Sequence, residues 1–239
     1  GPLALGPVTQ LTQDLGLTWS PSMSDDGRLV AYASDRAGQD LDIWIQQTSG
    51  GPPVRITDDP SDDHQPDVSP NGALVAFRSE RDPAGVYVTT ALGGDARLIG
   101  PEGKNPRFSP DGESVSYWTG SWLAPRGPVN QQRRETLLVA TNGGPPRRLA
   151  ISAGDPTWSP DGGGLLVFAQ PQSEGASLPD WWWVPLNGAP PTRTGALDLL
   201  SGAGIDIDPA LPDRYPFPEE WTADGVYFSA YLKGGTASN

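Results

Sequence analysis

One turn sequence recurs along this chain at nearly even spacing, and that recurrence restricts the fold more than any other feature. Pro21-Ser22-Met23-Ser24-Asp25-Asp26-Gly27 is matched by Pro66-Asp67-Val68-Ser69-Pro70-Asn71-Gly72, Pro106-Arg107-Phe108-Ser109-Pro110-Asp111-Gly112 and Pro156-Thr157-Trp158-Ser159-Pro160-Asp161-Gly162. Glu219-Glu220-Trp221-Thr222-Ala223-Asp224-Gly225 is a weaker fifth copy. With Ser24, Ser69, Ser109, Ser159 and Thr222 as markers, the copies lie 45, 40, 50 and 63 residues apart. Pro presets φ, Asp or Asn caps its own backbone and Gly accepts positive φ, so each copy reads as a hairpin corner.

Strand signals follow every corner. Leu29 to Ser34, Leu74 to Ser79, Ser114 to Thr119, Gly164 to Ala169 and Val226 to Tyr231 read as second strands, with Val30, Val75, Val115, Leu165 and Phe228 third after the Gly. A third strand is expected at Asp42 to Ile45, Gly85 to Val88, Thr136 to Val139 and Trp181 to Val184. Small-residue turns at Gly50-Gly51, Gly93-Gly94, Gly143-Gly144 and Gly188-Ala189 lead to an outermost strand carrying Arg55, Arg97, Arg148 or Arg193. The heads of these Arg residues are expected to pair with acidic neighbours while their stems pack. Four strands per unit at a 40–50 residue period, with no helical periodicity, predict an all-β chain: a β-propeller of four-stranded blades.

The expected blades span about 17–57, 65–99, 104–150, 155–195 and 216–239, in a single domain over 1–239. Val8 to Thr12 matches the tail of a preceding blade, and the fifth copy lacks third and fourth strands. The expectation is therefore a truncated piece of a six-bladed or larger ring. Insertions at 120–135, with Trp122 and Arg134, and at 195–217, with Asp206, Asp208 and Tyr215, lengthen two loops where binding residues usually reside.

The 239 residues include 30 Gly and 27 Pro, yet also 9 Trp, 6 Tyr and 5 Phe, so dense turns accompany an aromatic core rather than disorder. A net charge of −13 repels phosphate backbones and anionic membrane surfaces, which argues against nucleic-acid binding. Without Cys there is no disulfide or thiolate site, and His64 is the single His. No apolar run is long enough to span a bilayer, so no membrane insertion is expected.

The Asp-Gly punctuated pattern resembles the TolB-type propeller repeat, a tryptophan-aspartate-like family found in periplasmic TolB and in propellers fused to peptidases, protein kinases and transcription regulators. The resemblance implies a periplasmic or extracytoplasmic setting, with a cytoplasmic one as the alternative. It implies no particular activity, because a fold hosts many functions. No Gly-x-Ser-x-Gly elbow, phosphate loop or His-Glu-x-x-His motif is present, and a Ser-His-Asp set would have to recruit His64 from an acidic loop. The chain thus reads as a non-enzymatic binding or sensory module for a protein, peptide or small ligand, with a covalently attached effector domain. The gating propeller of a serine peptidase and a metal-dependent polysaccharide lyase are the alternatives.

His64, in the run Asp58 to Gln65 just before the innermost strand of the second blade, is placed by the resemblance near a mouth of the central channel. Its ring equivalents are Lys104, Gly154 and Phe217, flanked by Gln65, Asn105, Asp155 and Pro218. His64, Gln65, Lys104, Asn105 and Asp155 are therefore the candidate ligand contacts; satisfaction of strand ends by ordered water is the competing account. Asp63 with His64, or Asp206 with Asp208, are the candidate cation ligands, Ca²⁺ suiting such oxygens, although a solvated acidic loop is the simpler reading and no cofactor is expected. The Trp181-Trp182-Trp183 run suits sugar stacking, but inside a third strand covered on both faces it is expected to be core.

Overall fold

The computed structural model describes residues 10–13, 16–120, 134–151, 153–169, 179–207 and 215–233. Four antiparallel four-stranded sheets follow one another. They are β1 (Thr18–Met23), β2 (Leu29–Ser34), β3 (Asp42–Gln47) and β4 (Val54–Arg55); then β5 (Asp63–Val68), β6 (Leu74–Ser79), β7 (Gly85–Thr90) and β8 (Arg97–Pro101). The third comprises β9 (Lys104–Phe108), β10 (Ser114–Thr119), β11 (Glu135–Ala140) and β12 (Arg147–Arg148), and the fourth β13 (Ala153–Trp158), β14 (Gly164–Ala169), β15 (Asp180–Pro185) and β16 (Thr192–Arg193). Within each sheet the strands lie in sequence order, the blade meander of a propeller. The second strands coincide with the segments expected from the turn spacing in these four blades.

The chain then departs from the repeat. Ala196–Gly202 forms α1, where no helical pattern was expected, and β17 (Glu220–Thr222) pairs only with β18 (Gly225–Tyr227). The fifth second strand therefore stops at Tyr227 rather than Tyr231. Val8, Thr9 and Trp122 lie outside the described residues.

Each of the first four corners is held by the same three side-chain contacts. Ser109 Oγ accepts the Ser114 N–H at 2.9 Å and donates to Asp111 Oδ1, which in turn accepts the Glu113 N–H. Ser24 with Asp26, Ser69 with Asn71 and Ser159 with Asp161 repeat this. The Ser hydroxyl, by hydrogen bonding the ionised form, holds Asp26, Asp111 and Asp161 below the usual carboxylate range. Gly27, Gly72, Gly112 and Gly162 close the corners at φ of 68, 68, 72 and 67°. In the fifth copy the roles invert: Thr222 Oγ1 accepts the Asp224 N–H in a two-residue turn, so the corner is tighter.

The core lies between blades. Ala31, Ala33, Ile43 and Ile45 of the first sheet pack on Val68, Val75, Phe77 and Tyr87 of the second. Ala76, Val86 and Val88 pack on Phe108, Val115, Tyr117 and Leu137, and Leu138 on Ala153, Trp158, Leu165 and Val167. Interior sheets are thus covered on both faces, which is why β14 reads Gly-Leu-Leu-Val-Phe-Ala without alternation and is buried throughout. The Trp run divides between the two faces. Trp181 is buried and donates its indole N–H to Pro216 O at 2.7 Å, while Trp183 meets Trp221 edge-on at 5.5 Å. Trp182, half-buried, packs on the opposite side against the third cluster.

Three of the outer Arg residues pair as expected, Arg55 with Asp42 at 2.8 Å, Arg148 with Glu135 at 2.8 Å and Arg193 with Asp180 at 2.7 Å. Each acid opens the third strand of its own blade. Arg97 differs: Gly85 occupies the acidic position, and Leu98 rather than Arg97 stands opposite Tyr87. This one-residue displacement turns Arg97 to the other face, where Nη2 donates to Thr141 O of the next blade at 2.6 Å.

Candidate functional site

The inner strands β1, β5, β9 and β13 lie side by side, each beside its successor. All four carry a bulge at the same place. Two residues, Ser20-Pro21, Gln65-Pro66, Asn105-Pro106 or Asp155-Pro156, oppose one on the second strand, and the pairing register shifts there. The residue before each Pro takes positive φ: Ser20 55°, Gln65 53°, Asn105 48° and Asp155 49°. Side chains in that conformation leave the in-and-out alternation of a strand. Here they turn sideways along the ring: Gln65 Oε1 accepts the Asn105 N–H at 3.0 Å, and Asn105 Nδ2 donates to Asp155 Oδ1 at 3.1 Å.

The structure thus joins three of the sequence-predicted residues, Gln65, Asn105 and Asp155, into one polar line. Burial pushes the Asp155 carboxyl up to about 6, against the opposing pull of Asn105, Trp118, Arg134 and Arg107. Beyond Asp155 lies a cavity of about 240 Å³ lined by Asn105, Arg107, Asp155, Thr157, Phe217 and Glu219. Pro156 and Pro218 complete its apolar wall.

His64 and Lys104 stand apart from this line. His64 is the second residue of β5, not a member of the loop before it. Its ring stacks on Trp19 with centroids 5.6 Å apart, and Nε2 lies 3.2 Å from Glu80 Oε1. Glu80 is held down at about 2, chiefly by the Arg78 guanidinium that grips both its oxygens. Lys104 Nζ donates to Gly120 O at 2.8 Å and lies 5.3 Å from the Trp118 ring centre. Asp63 is fully buried with its carboxylate forked by Arg81 Nη2 at 3.1 and 2.8 Å, so it is not paired with His64 around a shared point. Its burial raises its pKa. Asp206 anchors its backbone N–H on Tyr231 O, and Asp208 lies outside the described residues. Among the described residues no group of three or more His, Asp or Glu side chains is placed to hold a metal ion.

Three contributors escaped sequence reasoning. Trp19 lies five residues before Ser24, the offset that singled out His64, so the alignment contained it. Arg107 and Asp67 lie two before their markers, and they clamp neighbouring blades. Asp67 Oδ2 accepts the Phe108 N–H at 2.7 Å, while Oδ1 accepts Ser22 Oγ at 3.1 Å and Arg107 Nη1 at 3.3 Å. Burial raises the Asp67 pKa in spite of these partners.

With blades, bulges and cavity in place, the comparisons with known proteins agree on the fold. The TolB beta propeller domain profile matches residues 3–180. The chain belongs to the TolB β-propeller domain family. TolB from Acinetobacter baumannii superposes with a TM-score of 0.59 at 18% identity, covering 77% of this chain and 44% of that one. A putative TolB from Agrobacterium tumefaciens gives 0.55 at 22% identity, covering 73% and 63%. The propeller domain of the Trilobed protease from Pyrococcus furiosus, described as having an open velcro topology, gives 0.50 at 13% identity, covering 92% and 78%. This chain therefore spans about half the length of the TolB structures it resembles, and at these identities the likeness is one of fold. No curated protein matches it. No helix among the described residues is long and apolar enough to cross a membrane.

Proposed function

We propose that this propeller is a non-catalytic binding module that takes a peptide segment of a protein partner at the inner-strand end of its channel, around Asn105 and Asp155. The observation that carries the reading is the cavity at the end of the Gln65–Asn105–Asp155 line, where polar groups and the apolar surfaces of Phe217, Pro156 and Pro218 meet in one concave site. The bulged inner strands hold the lining residues on the sheet scaffold. In a larger protein the module would serve an attached effector domain and work outside the cytoplasm, a placement supported by the family resemblance alone. The gating propeller of a peptidase is the second reading, favoured by a Pyrococcus horikoshii acylaminoacyl peptidase that shares the fold at a TM-score of 0.55 and 13% identity.

Selection of displayed random peptides against the purified chain tests the site. Peptides enriched on the native chain are expected to lose capture by at least tenfold when Asn105→Ala is introduced. Equal capture by both proteins would place binding elsewhere.

A further inference from the structure

At two successive junctions of the inner ring, the residue four before the marker reaches the same position of the next blade: Gln65 accepts from Asn105, and Asn105 donates to Asp155. At the following junction that position is Pro218, which has neither an N–H nor a polar side chain. The line ends on a half-buried carboxylate, and the 240 Å³ cavity opens at that break. The charges around the cavity are also out of balance. Among the described residues, Asp155 and Glu219 line the cavity with one guanidinium, that of Arg107, which is already committed to Asp67 at 3.3 Å, while Arg134 acts on Asp155 from outside that lining. The described part of the wall thus carries one carboxylate more than the guanidiniums beside it.

We propose that this cavity is a subsite for a primary ammonium group, borne by a lysine side chain or by the amino terminus of a peptide, with Asp155 as its main acceptor. The assignment rests on the binding role proposed above and names the chemistry recognised there. An ammonium head supplies three donors in a compact volume. Its aliphatic stem suits Phe217, Pro156 and Pro218, which line the same space. A carboxylate ligand would instead meet two carboxylates. Desolvation raises Asp155 to about 6 in spite of Asn105, Arg134, Arg107 and Trp118, and a cation seated in the cavity would favour its ionised form. Binding of the cation then competes with a proton, so affinity falls as pH drops through 6. Glu219 Oε1 accepts the Ser229 N–H, leaving it a lesser contributor.

The test titrates the whole chain, at pH 7.5 and at pH 5, with three probes observed by calorimetry and by the NMR shift of the Asn105 side-chain amide. Acetyl-lysine methylamide carries the side-chain ammonium, glycylglycine amide carries an amino terminus, and acetyl-norleucine methylamide is the neutral isostere. One ammonium probe is expected to bind at least tenfold more tightly than the norleucine probe, and the one that does identifies the source. For a carboxyl titrating at about 6, the ionised fraction drops about tenfold between these pH values, so the native affinity falls about tenfold. Asp155→Asn is expected to remove the preference for ammonium over norleucine, and the native pH dependence reads the same chemistry should that variant fold poorly. Equal binding of charged and neutral probes, or binding indifferent to pH and to Asp155→Asn, overturns the assignment. Equal binding that Asn105→Ala still abolishes would do so while leaving the channel-mouth reading intact.

Discussion

Replacing Asp155 by Asn is expected to stabilise the protein at neutral pH, and to do so less and less as the solution is acidified. The folded carboxyl titrates at about 6 against an ordinary value of 3.8, with burial as the leading cause. A folded pKa above the unfolded one means that the native state binds the proton more tightly, so ionisation costs stability. The cost is complete above pH 6, shrinks between 6 and 3.8, and is absent below. At about 1.4 kcal/mol per pH unit its ceiling is about 3 kcal/mol, and solvent reaching a half-buried carboxylate reduces that to about 1–2 kcal/mol. Asn keeps an acceptor for Asn105 Nδ2, so the lateral bond at 3.1 Å survives. Urea unfolding at pH 7.5, 6 and 4 measures the difference. The variant should gain about 1–2 kcal/mol at pH 7.5, or roughly 2–8 °C in Tm for a chain of this size, and match the parent at pH 4. A variant less stable than its parent at pH 7.5, or one whose advantage is unchanged at pH 4, would refute the reasoning.

Glu80→Gln is expected to behave with the opposite sign. The folded pKa of about 2 lies below the ordinary 4.5, so the stabilisation by Arg78 is complete above 4.5 and lost as pH falls toward 2. The loss, about 1 kcal/mol at pH 7 because Glu80 is half exposed, should fade in urea titrations below pH 4. Asp67→Ala leaves the Phe108 N–H without its acceptor at a blade junction, at a cost on the order of 2 kcal/mol and a Tm lower by roughly 4–8 °C in calorimetry.

Local chemistry that repeats was legible in the sequence; geometry between repeats was not. The Ser-x-Asp-Gly corners and the second and third strands could be placed because their φ requirements and strand patterns are written in adjacent residues. Arg97 lies on the outermost strand as expected, but its acidic partner was wrongly expected because matching residue types along the chain hides a one-residue displacement that only cross-strand pairing with Tyr87 reveals. Helix α1 left no pattern to find: it lasts seven residues, follows Gly195 as an N-cap without a side-chain hydrogen bond and buries only Leu197. Gln65, Asn105 and Asp155 were found by their common offset from the corner, whereas their lateral contacts required knowing which way the bulge turns each side chain. His64 drew attention as the single His, yet its partners are Trp19 and Glu80 rather than the line that ends at the cavity.

That bulge is where ordinary sequence rules fail, and the failure explains the site. A residue before proline is pushed toward extended backbone, yet Ser20, Gln65, Asn105 and Asp155 all precede Pro and all take φ between 48 and 55°. Such conformations cost of order 1–3 kcal/mol each and persist where surrounding structure enforces them. At two of the junctions the neighbouring inner strand supplies the enforcement, offering the displaced side chains of Gln65 and Asn105 a partner one blade further on. Repetition therefore converts a local strain into a circumferential line of hydrogen bonds, in which each member depends on the next. In the fifth copy the proline itself moves into the position, as Pro218, with Glu219 where the proline stood. Strain and partner are lost together at that point. Among the described residues the line of lateral side-chain bonds therefore stops at Asp155, whose carboxylate lines the cavity beside Pro218.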